Sequence, residues 1–167
     1  MEWIQRAQKY AYEIALGMTF LHQRGIVHRD LKPGNVFLET IAGRTVARLF
    51  DFGIAQRDED VRVTAEGQTV GTSTYMSPEQ IRDPGSVDRR TDVWSIGVML
   101  YETLSGTMPF DAEDMGQLFA KIHTQEAKRL DKFVDGVSGA VAKIVKRCLR
   151  VEREDRYASA NELARAL

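Results

Sequence analysis

Residues 93–105 constrain this chain more than any other stretch. Val93, Trp94, Ile96, Val98, Met99, Leu100, Tyr101 and Leu104 leave almost no polar side to a helix. A helix that is apolar all round must be surrounded by other elements at the centre of a core. Gly106 supplies its stop, since glycine accepts the left-handed conformation that ends many helices. With 167 residues, the chain can build one such core and shows no sign of a second. Its 43% hydrophobic and 28% charged residues are those of an ordinary globular domain. A formal net charge of -1 provides no basic surplus to attract nucleic acid or an anionic membrane.

Amphipathic elements should surround that central helix. Ile4, Ala7, Ala11, Ile14, Met18 and Leu21 recur at three- and four-residue steps, predicting a helix that Gly25 ends. Val36–Leu38 and Val46–Phe50 are short β-prone runs, and Gly43 between Thr40 and Thr45 predicts a hairpin. Asp58–Thr74, polar and aperiodic, is expected to be a mobile loop. Three more helices follow within 113–167, marked by Met115, Leu118, Phe119 and Ile122, by Val141–Leu149, and by the capping-box spacing Ser159-Ala160-Asn161-Glu162. The expected fold class is mainly α with a small β-hairpin. Cys148 falls on the apolar face of its helix, so it reads as a packed thiol in a reducing compartment. No apolar run is long enough to span a bilayer, and Met1-Glu2-Trp3-Ile4-Gln5 lacks the start of a secretory signal. Those features predict a cytoplasmic chain, whatever membrane anchor a longer parent carries.

Chemistry concentrates in His28-Arg29-Asp30-Leu31-Lys32-Pro33-Gly34-Asn35 and Asp51-Phe52-Gly53. Asn35 precedes the first strand of the hairpin and Asp51 follows the second, so antiparallel pairing should bring them side by side. Asp30 lies on the loop leading in. A carboxamide oxygen and carboxylates at one open edge suit magnesium, which takes few protein ligands plus waters and substrate phosphates. Lys32 can neutralise charge on a phosphoryl group in transfer. The set predicts metal-assisted phosphoryl transfer.

These motifs resemble those of protein kinases: residues 28–35 the catalytic loop, and Asp51-Phe52-Gly53 the metal-binding triplet. The likeness continues through Gly71-Thr72-Ser73-Thr74-Tyr75-Met76-Ser77-Pro78-Glu79, similar to the end of an activation segment spanning 51–79. Asp92-Val93-Trp94-Ser95-Ile96-Gly97 resembles the start of the central buried helix, here 92–105, and Arg156 stands where the family has a late arginine. The wording is similar to bacterial serine/threonine kinases of the eukaryotic-like type. The resemblance implies ATP with magnesium, or manganese in its place, and protein substrates. Asp30 would orient or accept the substrate hydroxyl proton, Lys32 would contact the γ-phosphate, and Asn35 and Asp51 would hold the metal. Thr72 would shape the substrate site, His28 and Phe52 would stack as a spine, Asp92 would hold the backbone of the catalytic loop, and Glu79 would pair with Arg156. Taken alone, Asp92 is also a candidate helix cap and Glu102 a candidate contact for basic peptide side chains. His22 and His123 have no acidic or cysteine partner at ligand spacing, and no role is assigned to them.

The likeness is to the C-terminal lobe only, over residues 1–167 as one domain. These residues contain no Gly-rich loop and no strand lysine to clamp the α- and β-phosphates. The β-rich N-lobe, in cis or in trans, is therefore an expected partner, and the fragment alone is expected to be poorly active. Without that lobe, apolar surface around Val36, Phe37 and Phe52 should be exposed and promote association. Thr64 and Thr69 are candidate phosphosites whose phosphate Arg29 would bind. Two rival functions are a truncated, non-catalytic binding module derived from a kinase and a kinase-like small-molecule phosphotransferase. Lys32 and the segment from Thr72 to Glu79 argue against the second.

Overall fold

The computed structural model describes residues 2–50 and 73–167. Asp51, Phe52, Thr64, Thr69 and Thr72, with most of the expected loop 58–74, lie outside the described residues. The last two residues of that loop, Ser73 and Thr74, are described and buried.

Helix α1 spans Glu2–His22 and buries Ile4, Ala7, Ala11, Ile14, Ala15, Met18 and Leu21, the face its spacing predicted with Ala15 added. Its exit is closed by Ile26 N–H donating to Leu21 O at 3.1 Å, with Gly25 left-handed at φ 73°. A short 3-10 turn, Pro33–Asn35, leads into strand β1, Val36–Ile41, which pairs antiparallel with β2, Arg44–Leu49. Both strands run further toward the turn than their β-prone cores suggest. The turn needs only Ala42 and Gly43, both left-handed at φ 48° and 77°. Two such residues match the twist of the strands they join. Thr40 and Thr45 therefore become a cross-strand pair, with hydroxyl oxygens 3.2 Å apart.

The hairpin rests on α1. Glu13 Oε2 accepts from Ala47 N–H at 2.8 Å, and Leu49 lies so close to Gly17 that an added Cβ would sit 3.0 Å from its Cδ1. Helix α2 (Pro78–Arg82) precedes α3 (Arg90–Ser105), whose residues from Thr91 to Tyr101 are all buried. This is the central element the sequence requires, ended by Gly106 at φ 71°. It begins three residues before its apolar run. Thr91, Asp92 and Ser95 are buried on its first turns because each has hydrogen-bond partners.

Helices α4 (Met115–Thr124), α5 (Gly139–Cys148) and α6 (Ala160–Ala166) complete the body, capped by Asp114, Ser138 and Ser159. The capping box at α6 closes only on one side. Ser159 Oγ accepts from Glu162 N–H, whereas Glu162 Oε2 takes Ala158 N–H at 2.8 Å. Helix α3 packs against α1 and α5, with α6 closing over α1. At the α3–α5 crossing a Cβ on Gly97 would stand 2.4 Å from Cys148 Cβ, so only glycine allows that approach. Cys148 is buried in the contact, and burial pushes its thiol up to about 12.

Candidate active site

The loop at residues 28–35 is held from behind by helix α3. Asp92, fully buried, accepts His28 N–H on Oδ2 and Arg29 N–H on Oδ1, each at 3.0 Å. Arg29 has a positive φ of 65°, a conformation that costs an L-residue about 1–2 kcal/mol unless its surroundings fix it. The peptides before and after it are each fixed. Asp92 holds the N–H, and Gln80 Nε2 donates to its carbonyl at 2.6 Å. Leu31 then turns into the core, and this anchors the loop between two outward-facing polar side chains.

Those side chains are Asp30 and Lys32. Lys32 Nζ lies 2.8 Å from Asp30 Oδ2, and 42% of the Asp30 side chain is exposed, so the carboxylate is within reach of a ligand. Asn35 is buried, and its Nδ2 donates to Asp30 O at 2.7 Å and approaches Asp30 Oδ2 at 3.4 Å. With the nitrogen committed to Asp30, the carboxamide oxygen is the Asn35 atom with acceptor capacity to spare. Phe50 N–H donates to Asn35 O at 2.9 Å, so the strand pairing continues one step past β1 and β2 and ties the chain before Asp51 to Asn35. Asp30, Lys32 and Asn35 are thus together; Asp51 and Thr72 lie outside the described residues. The donors present at this edge are oxygens, a carboxylate and a carboxamide. They fit a hard cation such as magnesium and would be a poor set for a thiolate- or imidazole-seeking metal.

Two contributors carried no signal in the sequence. His22, in the last turn of α1, has no partner close in sequence, yet its Nε2 is 2.7 Å from Asp92 Oδ2 with both side chains buried. Since a carboxylate only accepts, Nε2 carries the proton. Gln80 is the other. The only available cue was its place three residues after Ser77, as in a capping box. His123 remains a local feature, its Nδ1 2.8 Å from Phe119 O within its own helix.

The stretch from Tyr75 to Glu79 is locked into the same framework. Arg156, fully buried, meets both carboxylate oxygens of Glu79 at 2.7 and 2.8 Å. Its other donors reach the carbonyls of Arg90, Arg150 and Val151, so every guanidinium N–H is used. The guanidinium also lies 5.0 Å from the Trp94 ring, and Trp94 stacks on Phe110 at 5.8 Å. Tyr75 O–H donates to Glu102 Oε2 at 2.7 Å. Burial first, then that bond and the Glu102 charge, push the Tyr75 hydroxyl well above its ordinary range. At the start of α3, Asp88 accepts from Arg90 N–H and from its guanidinium. Burial alone would raise the Asp88 carboxyl, but those bonds and the Arg90 charge hold it below the usual range. Asp92 serves the loop rather than capping its helix; Arg89 occupies the cap position.

The hairpin presents a contrasting surface. Phe37, Leu38, Ile41 and Phe50 are exposed, with Phe37 and Phe50 edge to face at 5.1 Å, while Val36 is half-buried.

A buried central helix, one hairpin and a polar loop pinned between them make up the architecture of a kinase C-terminal lobe. Residues 3–166 match the model of the protein kinase domain, and the chain belongs to that family. It is 37% identical over 158 residues to a probable serine/threonine-protein kinase of Clostridium acetobutylicum, covering 92% of this chain and 23% of that protein. It is 40% identical to the serine/threonine-protein kinase pkn2 of Myxococcus xanthus, covering 97% of this chain and 20% of the relative. Against the serine/threonine-protein kinase PknL of Mycobacterium tuberculosis the identity is 34%, over 86% of this chain and 35% of the relative. The chain thus spans between a fifth and about a third of the length of these relatives. Among the described residues no helix is long and apolar enough to cross a membrane.

Proposed function

We propose that this chain carries the phosphoryl-transfer residues of a protein serine/threonine kinase, which moves the γ-phosphate of ATP to serine or threonine hydroxyls of proteins. The observation that carries the reading is the cluster of Asp30, Lys32 and Asn35 on a loop whose backbone is fixed from both sides. Asp30 is exposed enough to accept a hydrogen bond from an incoming hydroxyl and to take its proton as the bond to phosphorus forms. Lys32, 2.8 Å from that carboxylate, places a positive charge beside the transferring group. Asn35, with Asp51, would hold magnesium or manganese. When bound, that ion would neutralise charge on the phosphate oxygens. Arg29 makes no ion pair among the described residues, which suits binding of a phosphate on Thr64 or Thr69. Thr72 would line the site for the accepting hydroxyl.

These 167 residues include neither a Gly-rich loop nor a strand lysine, so alone they should transfer little phosphate. The test is radiolabelled phosphate transfer from ATP–Mg to a generic protein substrate, using the native-length polypeptide that contains this segment. Robust transfer is expected, falling about 10²–10⁴-fold in Asp30→Asn with the fold intact. Equal rates for Asp30→Asn and the unmodified enzyme would refute the assignment.

A further inference from the structure

Gln80 does more than close one side of the loop: it stands at a junction of three elements. Its Oε1 accepts from Ser77 N–H at 3.0 Å and from Thr91 O–H at 2.7 Å, and Ser77 Oγ lies 2.7 Å from Thr91 Oγ1. Those donors settle the orientation of the amide, because only an oxygen can face them all. Nε2 is thereby aimed at Arg29 O, 2.6 Å away and 51 residues earlier in the chain. Arg29 is one of two non-glycine residues at positive φ among the described residues, and the other, Ala42, sits in the hairpin turn. The peptide that Gln80 holds by its carbonyl is the one whose nitrogen belongs to Asp30. Asp92 fixes the preceding peptide through Arg29 N–H.

We infer that Gln80 is a positioning residue for Asp30: it transmits the seating of Ser77 and α2 on helix α3 to the strained peptide that aims the carboxylate. The inference rests on the kinase reading. It adds a relay from the end of the activation segment to the reacting group. When Ser77 and Thr91 hold the Gln80 oxygen, the amide nitrogen can only point at Arg29. If that segment lifts away, the donor leaves and the Arg29 carbonyl loses its partner. A 1 Å drift of Asp30 would then be enough to slow transfer heavily.

Gln80→Glu separates the two ends of the junction. Glutamate keeps the acceptor that serves Ser77 and Thr91, as capping boxes do, and replaces the donor to Arg29 with an oxygen that repels its carbonyl. In the native-length enzyme, kcat should fall about ten- to hundredfold while KM for ATP stays within about twofold and the melting temperature changes little. Gln80→Met removes donor and acceptor without adding charge, and serves where the glutamate disturbs folding; it should show at least the same loss of kcat. Unchanged kcat in a folded variant of either kind would overturn the inference. Amide hydrogen exchange on the 167-residue chain reads the relay without any activity. His28 and Arg29 amides should exchange about tenfold faster in Gln80→Glu while those of residues 96–104 are unmoved, and equal protection at 28–29 would also overturn it. A native-length enzyme that transfers no phosphate would instead defeat the kinase reading, with exchange still deciding the role of Gln80.

Discussion

The loop at residues 28–35 and the hairpin at 36–49 are continuous in sequence and held in opposite ways. The loop ties Asp30, Lys32 and Asn35 to one another, but the backbone at His28 and Arg29 is held by partners 51 to 64 residues away, Gln80 and Asp92. The hairpin is built from its own register, leans on α1 through Glu13 and Gly17, and leaves Phe37, Leu38, Ile41 and Phe50 in solvent. Where atoms must be placed to within a fraction of an ångström, the protein uses buried, fully bonded polar groups set in its core. Where a surface is left for something else to cover, local pairing suffices. Burying a large apolar side chain is worth about 1.5–3 kcal/mol, so the exposed hairpin residues contribute little of that in this chain.

Three substitutions test how far the buried framework behind the loop differs from the exposed hairpin. The largest effect should come from Glu79→Ala, which strands the Arg156 guanidinium, 0% exposed, without its carboxylate. Loss of one partner of a buried ion pair costs about 3–5 kcal/mol, and urea unfolding should show it. A loss below about 1 kcal/mol would mean the framework is less tightly coupled than its geometry. Gly97→Ala should come next. The new methyl meets Cys148 Cβ at 2.4 Å, so α3 and α5 must part, at about 1–3 kcal/mol by the same measurement. Phe37→Ser should be smallest, within about 0.5 kcal/mol, because the ring is mostly in water. Light scattering should show less association in this variant than in the parent chain. A large loss of stability there would erase the distinction between the two regions.

What the sequence revealed and what it concealed follow the same division. Helix α1 was legible because it records its burial at steps of three and four residues, and α3 because it is apolar on every side. Asp30, Lys32 and Asn35 were legible as one contiguous motif. His22 and Gln80 were not, since their partners lie 70 and 51 residues away and a lone histidine or glutamine has no period to betray it. The hairpin was legible, but its two-residue turn was not. Ala42 takes a left-handed conformation that asparagine or glycine would have advertised.

The distances in sequence between the loop and its anchors have a consequence for synthesis. A chain leaving the ribosome displays residues 28–35 long before Gln80 and Asp92 emerge, and Glu79 waits a further 77 residues for Arg156. The nascent loop therefore has no means of holding Arg29 at its left-handed φ. Vectorial production delivers the Asp30 carboxylate early and its supports late, so the loop takes its final shape in the last steps of folding rather than with the first helix.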